Sequence, residues 1–162
     1  VIDICVLAGL YTLRILAGGV ATGIPISVWL FAFSIFFFFT LAAVKRQAEL
    51  VDLAERGKLS VVGRGYHVDD LPIMSMIGLG AGFVSVLVLA LYINTPAVAV
   101  LYANPATLWG VFAVQLYWIT RIVLITHRGQ MHDDPVVFAV KDQTSRICLL
   151  SSVGFLLAGT YL

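Results

Sequence analysis

Residues 26–50 read ISVWLFAFSIFFFFTLAAVKRQAEL, a long apolar stretch that ends in a compact group of charges. Residues 26–44 contain no charged side chain, and a helix needs about 20 apolar residues to cross a bilayer. We therefore predict a membrane-spanning helix over 26–44. The motif Lys45-Arg46-Gln-Ala-Glu49-Leu then places charged side chains where this helix leaves the bilayer.

The composition of the whole chain supports the same assignment. Hydrophobic residues make up 60% of the 162 residues and charged residues only 12%, whereas a soluble domain carries about 25% charged residues. The formal net charge is only +1, and the basic residues do not form a stripe interleaved with aromatic side chains. The chain is therefore predicted to be an integral membrane protein without a nucleic-acid partner.

The other apolar stretches complete an all-α, polytopic transmembrane helix bundle of about five spans. With 26–44, the predicted spans are 1–21, 71–93, 107–125 and 144–162. Asp70-Leu-Pro72 and Asp134-Pro135 have the pattern of helix starts, an Asp cap followed by Pro in the first turn. Because the chain opens and stops inside apolar stretches, we expect it to be part of a longer protein.

The basic residues predict which loops face the cytoplasm. Loops 22–25 and 94–106 contain no Lys or Arg, whereas loops 45–70 and 126–143 are rich in them. The basic residues of these two loops are Lys45, Arg46, Arg56, Lys58, Arg64, Arg128 and Lys141. By the positive-inside rule, loops 45–70 and 126–143 are cytoplasmic.

The end of the second span holds the first candidate site. Lys45, Glu49 and Asp52 are spaced four and three residues apart, so a helix presents them on one face. A cation beside two carboxylates suits a phosphate and a bridging Mg²⁺, which prefers carboxylate and phosphate oxygens. The alternative is a helix-end ion pair with interface anchors, and the spacing alone favours that alternative.

Arg14 and Arg121 both lie inside predicted spans. Arg14 is about 16 Å along the helix from Asp3, and an intramembrane Arg usually faces a bundle interior. We interpret Arg14 as an anion contact in a cavity, with a structural ion pair or snorkelling as the alternative. Arg121 is close enough to the cytoplasmic end of its span to snorkel to the surface, and we interpret it as structural.

The loop between the fourth and fifth spans contains a second group of polar side chains. His127, His132, Asp133 and Asp134 fall within eight residues, and such a group can bind Zn²⁺ or Mn²⁺. No second ligand cluster of clear spacing accompanies them. We therefore interpret the stretch as a loop that ends in a helix cap.

Three further charged residues lie around the start of the fifth span. Lys141, Asp142 and Arg146 follow closely after that loop. Asp142 and Arg146 are one helical turn apart, a spacing that allows them to pair. The same position also suits the mouth of a cavity, and the sequence leaves both interpretations open.

Three motifs together resemble a known family. They are Leu13-Arg14-Ile-Leu-Ala17-Gly18-Gly19, Ile24-Pro25-Ile26-Ser27-Val-Trp29 and Lys45-Arg46-Gln-Ala48-Glu49-Leu50. They resemble the second half of the UbiA-superfamily intramembrane prenyltransferases, most of all the branch that includes decaprenyl-phosphate phosphoribosyltransferase. The resemblance implies that residues 1–162 are the C-terminal half of a nine-helix domain in a bacterial inner membrane. The family's first acidic motif would then precede Val1.

The resemblance also implies a chemistry. The family's second acidic motif is usually Asp-x-x-x-Asp, and Lys45 and Glu49 occupy the matching positions. A Lys there exchanges a metal ligand for a phosphate contact. This exchange favours a donor such as phosphoribosyl diphosphate and a polyprenyl phosphate acceptor over prenyl transfer to an aromatic ring.

The implied site has three groups of residues. The predicted phosphate contacts are Arg14, Lys45, Arg46 and Lys141. The predicted Mg²⁺ ligands are Glu49 and Asp52. Asp142 and Arg146 are further possible site residues without an assigned role, and no catalytic group is identified. The alternatives are an aromatic prenyltransferase and, from another class, a non-enzymatic membrane subunit or one half of a transporter.

Overall fold

The computed structural model describes residues 1–60, 63, 65–132 and 134–162, and within them the chain is an all-α bundle. Its α-helices are α1 (Ile2–Thr22), α2 (Val28–Glu55), α3 (Leu71–Ile93), α4 (Pro96–Leu101), α5 (Leu108–His127), α6 (Pro135–Lys141) and α7 (Gln143–Tyr161). Short 3₁₀ turns precede α3 and α5. Apart from one isolated β-bridge between Ser60 and His67, the described residues contain no β-structure. The predicted fold class is confirmed.

Four helical segments in the described part of the chain are long and apolar enough to cross a membrane. They are Ile2–Thr22, Val28–Glu55, Val68–Ile93 and Pro105–His127, and they overlap the first four predicted spans. Helix α2 continues to Glu55, past the predicted end at residue 44, and the short helices α4 and α6 form inside the predicted loops 94–106 and 126–143. The fifth predicted span forms α7, a helix of 19 residues. It is not among the four, because its first turn is polar and includes Gln143 and Arg146. The sidedness of the loops stays a prediction.

The helix boundaries follow local capping chemistry. Gly23 ends α1 in the left-handed conformation with a φ of 68°, which glycine adopts without a steric penalty. Ser27 begins α2 by accepting a hydrogen bond from Leu30 N at 3.1 Å. The predicted Asp134 cap is confirmed, since its carboxylate accepts from Val136 N at 3.0 Å.

The predicted cap at Asp70 is wrong in detail. Helix α3 does start at Leu71 with a proline in its first turn, but Asp70 makes no side-chain cap bond to it. Its carboxylate instead accepts from His67 N at 2.9 Å. The physical reason is that a 3₁₀ turn, Val68–Asp70, precedes α3 and takes the carboxylate for its own capping box.

Helix α2 is central to the packing: it contacts α1, α3 and α5, and α5 also contacts α7. Lipid is as apolar as a side chain, so close backbone approach rather than the hydrophobic effect holds such helices together. At Gly82 of α3, an added Cβ would lie 2.5 Å from Ile119 Cγ2 and 3.3 Å from Thr40 Oγ1. Interhelical hydrogen bonds contribute as well, for example from Gln47 Nε2 to Ser75 Oγ at 2.8 Å.

Candidate functional site

A cavity of about 440 Å³ lies where the last turns of α2 meet the loop after α5. We call it the polar cavity. It is lined by Lys45, Ala48, Glu49, Val51, Asp52, Glu55, Arg56, Gly129, Met131, His132 and Asp134. The expectation that Lys45, Glu49 and Asp52 share one helix face is therefore confirmed, because all three line this cavity.

The loop after α5 supplies the opposite wall of the polar cavity. Lys45 Nζ lies 3.1 Å from Asp134 Oδ2, and His132 lines the same cavity. Sequence reasoning had assigned this loop only a capping role, although its group of His and Asp residues was the signal for a site. His127 is the last residue of α5, and Asp133, like Arg64 in the preceding loop, lies outside the described residues.

The two walls meet at Gly129, which lies against side chains at the end of α2. Its φ is +73°, and a Cβ at this position would collide with the carboxylate of Glu55. The left-handed conformation favours glycine, whereas the Glu55 carboxylate is the end of a flexible side chain that can shift. The turn that ends α5 can therefore lie directly against the end of α2.

Carboxylates outnumber cations in the polar cavity. Its lining includes Glu49, Asp52, Glu55 and Asp134 against Lys45 and Arg56. Asp52 Oδ2 pairs with Arg56 Nε at 3.2 Å on an exposed part of α2. Nowhere in the described residues do three or more His, Cys, Asp or Glu side chains converge as a metal site. Glu49 and Asp52 suit the predicted Mg²⁺ only as a partial ligand set, which substrate oxygens would complete.

Arg46 does not line the polar cavity. Only 8% of its side chain is exposed, and its Nη1 donates to Glu49 Oε1 at 2.6 Å. Its Nε donates to the carboxylate of Asp3, which also accepts from the hydroxyl of Tyr66. We call Asp3, Arg46, Glu49 and Tyr66 the ionic cluster. Since Arg46 reaches one of the cavity carboxylates but not the cavity itself, it can orient Glu49.

Tyr66 ties the loop between α2 and α3 to this cluster. The side chain is buried, and burial, followed by the hydrogen bond to Asp3, raises the pKa of its hydroxyl. The phenol therefore stays protonated and can keep donating to Asp3. Sequence reasoning missed both Asp3 and Tyr66 as partners of Arg46, because they are far from it along the chain.

The structure does not bring the predicted phosphate contacts Arg14 and Lys141, or the possible site residue Arg146, to the polar cavity. Arg14 is exposed on α1, with its guanidinium 5.2 Å from the centroid of the Tyr11 ring, a cation–π contact. Lys141 ends α6 and Arg146 lies in the first turns of α7, and both are exposed. Their predicted roles remain untested.

Arg121 and Asp142 form an ion pair between α5 and the start of α7. Arg121 Nη1 lies 2.6 Å from Asp142 Oδ2, with 21% of the Arg121 side chain exposed. The ion pair agrees with the interpretation of Arg121 as a structural residue, and Asp142 pairs with Arg121 rather than with Arg146. Burial tends to raise the pKa of Asp142, but hydrogen bonds from Arg121 and Ser145 outweigh it and hold that pKa below its usual value.

A second cavity of about 460 Å³ lies between α2, α5, α6 and α7. We call it the apolar cavity. It is lined by Phe33, Phe37, Phe38, Leu41, Val111, Val114, Gln115, Trp118, Pro135, Val136, Ala139, Val140, Ser145, Cys148, Leu149 and Ser152. Asp134 lines the polar cavity and Pro135 the apolar cavity, so the two adjoin at the start of α6. Together they offer a charged compartment next to an apolar, aromatic-lined one.

Comparisons with known proteins give long matches to two relatives and shorter matches to a named transferase. The chain is 40% identical to the uncharacterized protein y4nM of Sinorhizobium fredii over 145 residues, 89% of this chain and 28% of that protein. It is 39% identical to the nodulation protein NoeC of Azorhizobium caulinodans over 153 residues, 93% of this chain and 49% of that protein. The chain thus spans about half the length of NoeC and less of y4nM.

The shorter matches are all to the same transferase. The chain is 48% identical to decaprenyl-phosphate phosphoribosyltransferase of Mycobacterium tuberculosis over 56 residues. This match covers 35% of this chain and 18% of that protein. Neither a family model nor a solved structure matches the chain. The chain is thus a membrane-type helical protein that is similar over about a third of its length to a transferase.

Proposed function

We propose that the protein is a Mg²⁺-dependent membrane transferase of the UbiA type that moves a phosphoribosyl group from a diphosphate donor to a polyprenyl phosphate. The observation that carries the proposal is the shared wall of Lys45, Glu49 and Asp52 in the polar cavity, directly beside an apolar cavity. The partial similarity to a phosphoribosyltransferase supports the same class.

In this proposal the polar cavity holds the diphosphate end of the donor. Lys45 contacts phosphate oxygens as a point charge. Glu49 and Asp52 provide carboxylate oxygens for Mg²⁺, which, once bound, neutralises charge that builds on the leaving diphosphate. Arg46 acts indirectly, since its hydrogen bond to Glu49 holds that carboxylate in place.

The apolar cavity holds the lipid chain in the same proposal. Its volume of about 460 Å³ falls in the range of about 300–1,000 Å³ that is usual for ligand pockets. Its wall includes Phe37 and Trp118, whose ring centroids are 6.0 Å apart. Such a surface suits an isoprenoid chain that enters from the bilayer. With loops 45–70 and 126–143 cytoplasmic, the donor would arrive from the cytoplasm of a bacterial cell.

Donor assays on the full-length protein test this proposal. Phosphoribosyl diphosphate and prenyl diphosphates are compared as donors, each with a polyprenyl phosphate and an aromatic acceptor. We expect transfer from phosphoribosyl diphosphate to the lipid, and loss of activity when Mg²⁺ is removed. Prenyl transfer to the aromatic acceptor would favour the alternative enzyme, and no transfer at all would favour a non-enzymatic membrane protein.

A charge reversal at Glu49 tests the site itself. Glu49→Lys should reduce turnover by at least about 100-fold, since it removes a proposed carboxylate ligand of the metal and introduces a cation that repels the metal. Asp69→Lys is the matched control, because its side chain is 89% exposed and lies outside the polar cavity. Near-normal turnover in Glu49→Lys would show that the site lies elsewhere.

A further inference from the structure

The carboxylate of Asp134 already pairs with Lys45, the cation that the proposed function assigns to a phosphate contact. Lys45 Nζ lies 3.1 Å from Asp134 Oδ2, and both side chains line the polar cavity. A phosphate oxygen that approaches Lys45 therefore meets a position already held by the protein's own anion. Binding at Lys45 requires either a shared contact or an exchange.

The two oxygens of Asp134 have separate partners. Oδ1 accepts from Val136 N at 3.0 Å and so caps α6, whereas Oδ2 pairs with Lys45. Pro135, the first residue of α6, is buried and fixes the backbone next to the cap. Asp134 can therefore give up Lys45 and keep its capping bond, so the exchange does not require α6 to unwind.

The pair is also accessible enough for exchange. The side chains of Lys45 and Asp134 are 35% and 28% exposed, and partly exposed ion pairs contribute little net stability. Arg46 next to it provides a contrast, because its side chain is 8% exposed and it pairs with both Asp3 and Glu49. A ligand can displace a single exposed carboxylate far more readily than such a buried cluster.

We propose that Asp134 is a displaceable counter-ion, which pairs with Lys45 until a phosphate group of the donor takes its place. The proposal rests on the proposed function, since it assumes that Lys45 contacts phosphate. It adds a selectivity element to that site. A phosphate group carries more negative charge than the carboxylate and is therefore attracted to Lys45 more strongly, so it can displace Asp134. A singly charged anion is attracted no more strongly than the carboxylate and does not displace it.

The exchange is tested by measuring the affinity for inorganic pyrophosphate by calorimetry. The experiment uses the full-length protein in detergent, without divalent cations. Asp134→Asn removes the charge but keeps the cap, because Asn and Asp cap helices about equally well. We expect Asp134→Asn to bind pyrophosphate about fivefold more tightly, since it removes both the competitor and a like charge. Lys45→Gln should weaken binding, and Asp134→Asn should give no gain when Lys45→Gln is already present.

Glu55→Gln is the matched control, because it removes a carboxylate from the same cavity. An equal gain in pyrophosphate affinity in Glu55→Gln would show that the loss of any negative charge in the cavity explains the effect, and it would contradict the exchange. Unchanged, weaker or undetectable binding in Asp134→Asn would overturn it too. If Lys45→Gln weakens binding in that case, the phosphate site of the proposed function stands. If Lys45→Gln leaves wild-type binding unchanged, the phosphate site and the exchange both fail.

Discussion

Lys45 and Arg46 are neighbours in the chain, yet they belong to two different regions. Lys45 faces the polar cavity with 35% of its side chain exposed and pairs with Asp134. Arg46 belongs to the ionic cluster with 8% of its side chain exposed, and pairs with Asp3 and Glu49. A buried cation must be paired and hydrogen-bonded on several sides, whereas a partly exposed one keeps capacity for a ligand.

The difference arises because successive residues of a helix point about 100° apart. Helix α1 covers the side of α2 that carries Arg46, and the start of α6 covers the side that carries Lys45. Glu49 belongs to both regions, since it lines the polar cavity and accepts from Arg46. Arg46 therefore holds a carboxylate of the polar cavity in place, whereas Lys45 faces the cavity and can exchange its partner for a ligand.

The largest effect should come from removing Arg46. Arg46→Ala removes the buried cation that pairs with Asp3 and Glu49 and should lower the free energy of unfolding by about 2–4 kcal/mol, less than for a fully buried pair because Asp3 is partly exposed. Lys45→Ala, the neighbouring truncation, should cost less than about 1 kcal/mol. Unfolding in detergent measures both. Equal losses would mean that the two regions do not differ as described.

A smaller effect should follow from a change at the wall of the polar cavity. Gly129→Ala forces an L-residue into the left-handed conformation at a cost of about 1–2 kcal/mol, and displaces the Glu55 carboxylate. We expect lower stability and weaker pyrophosphate binding. Gly154→Ala is the control, because an added Cβ in α7 meets nothing within 4 Å. A neutral Gly129→Ala would show that the wall tolerates another turn.

The smallest effect should come from the hydroxyl of Tyr66. Tyr66→Phe removes its hydrogen bond to Asp3 and should cost about 1 kcal/mol at neutral pH. Because the folded-state pKa of Tyr66 is raised above its usual value of 10.0, its contribution is complete below pH 10 and is lost as the pH rises further. The difference between wild type and Tyr66→Phe should therefore shrink in unfolding experiments above pH 10. A difference that stays constant would contradict the role of this hydrogen bond.

Local patterns in the sequence predicted much of the fold and one wall of the site. The lengths of the apolar stretches and boundary residues such as Pro72 and Pro135 located the helices, because these features act over a few residues. The spacing of Lys45, Glu49 and Asp52 placed them on one face for the same reason. Asp70 shows the limit of such reasoning, since a 3₁₀ turn takes the carboxylate that the pattern assigns to α3.

The sequence by itself determined that this protein is a helical membrane bundle with a charged end on α2. Only the tertiary structure decided which charges meet. Arg46 pairs with Asp3, which is 43 residues away in the sequence. Tyr66 donates to Asp3 over a separation of 63 residues, and Arg121 pairs with Asp142 over a separation of 21. The physical reason is that helical periodicity sets the face on which a side chain lies, whereas its partner depends on how whole helices rotate and pack against each other.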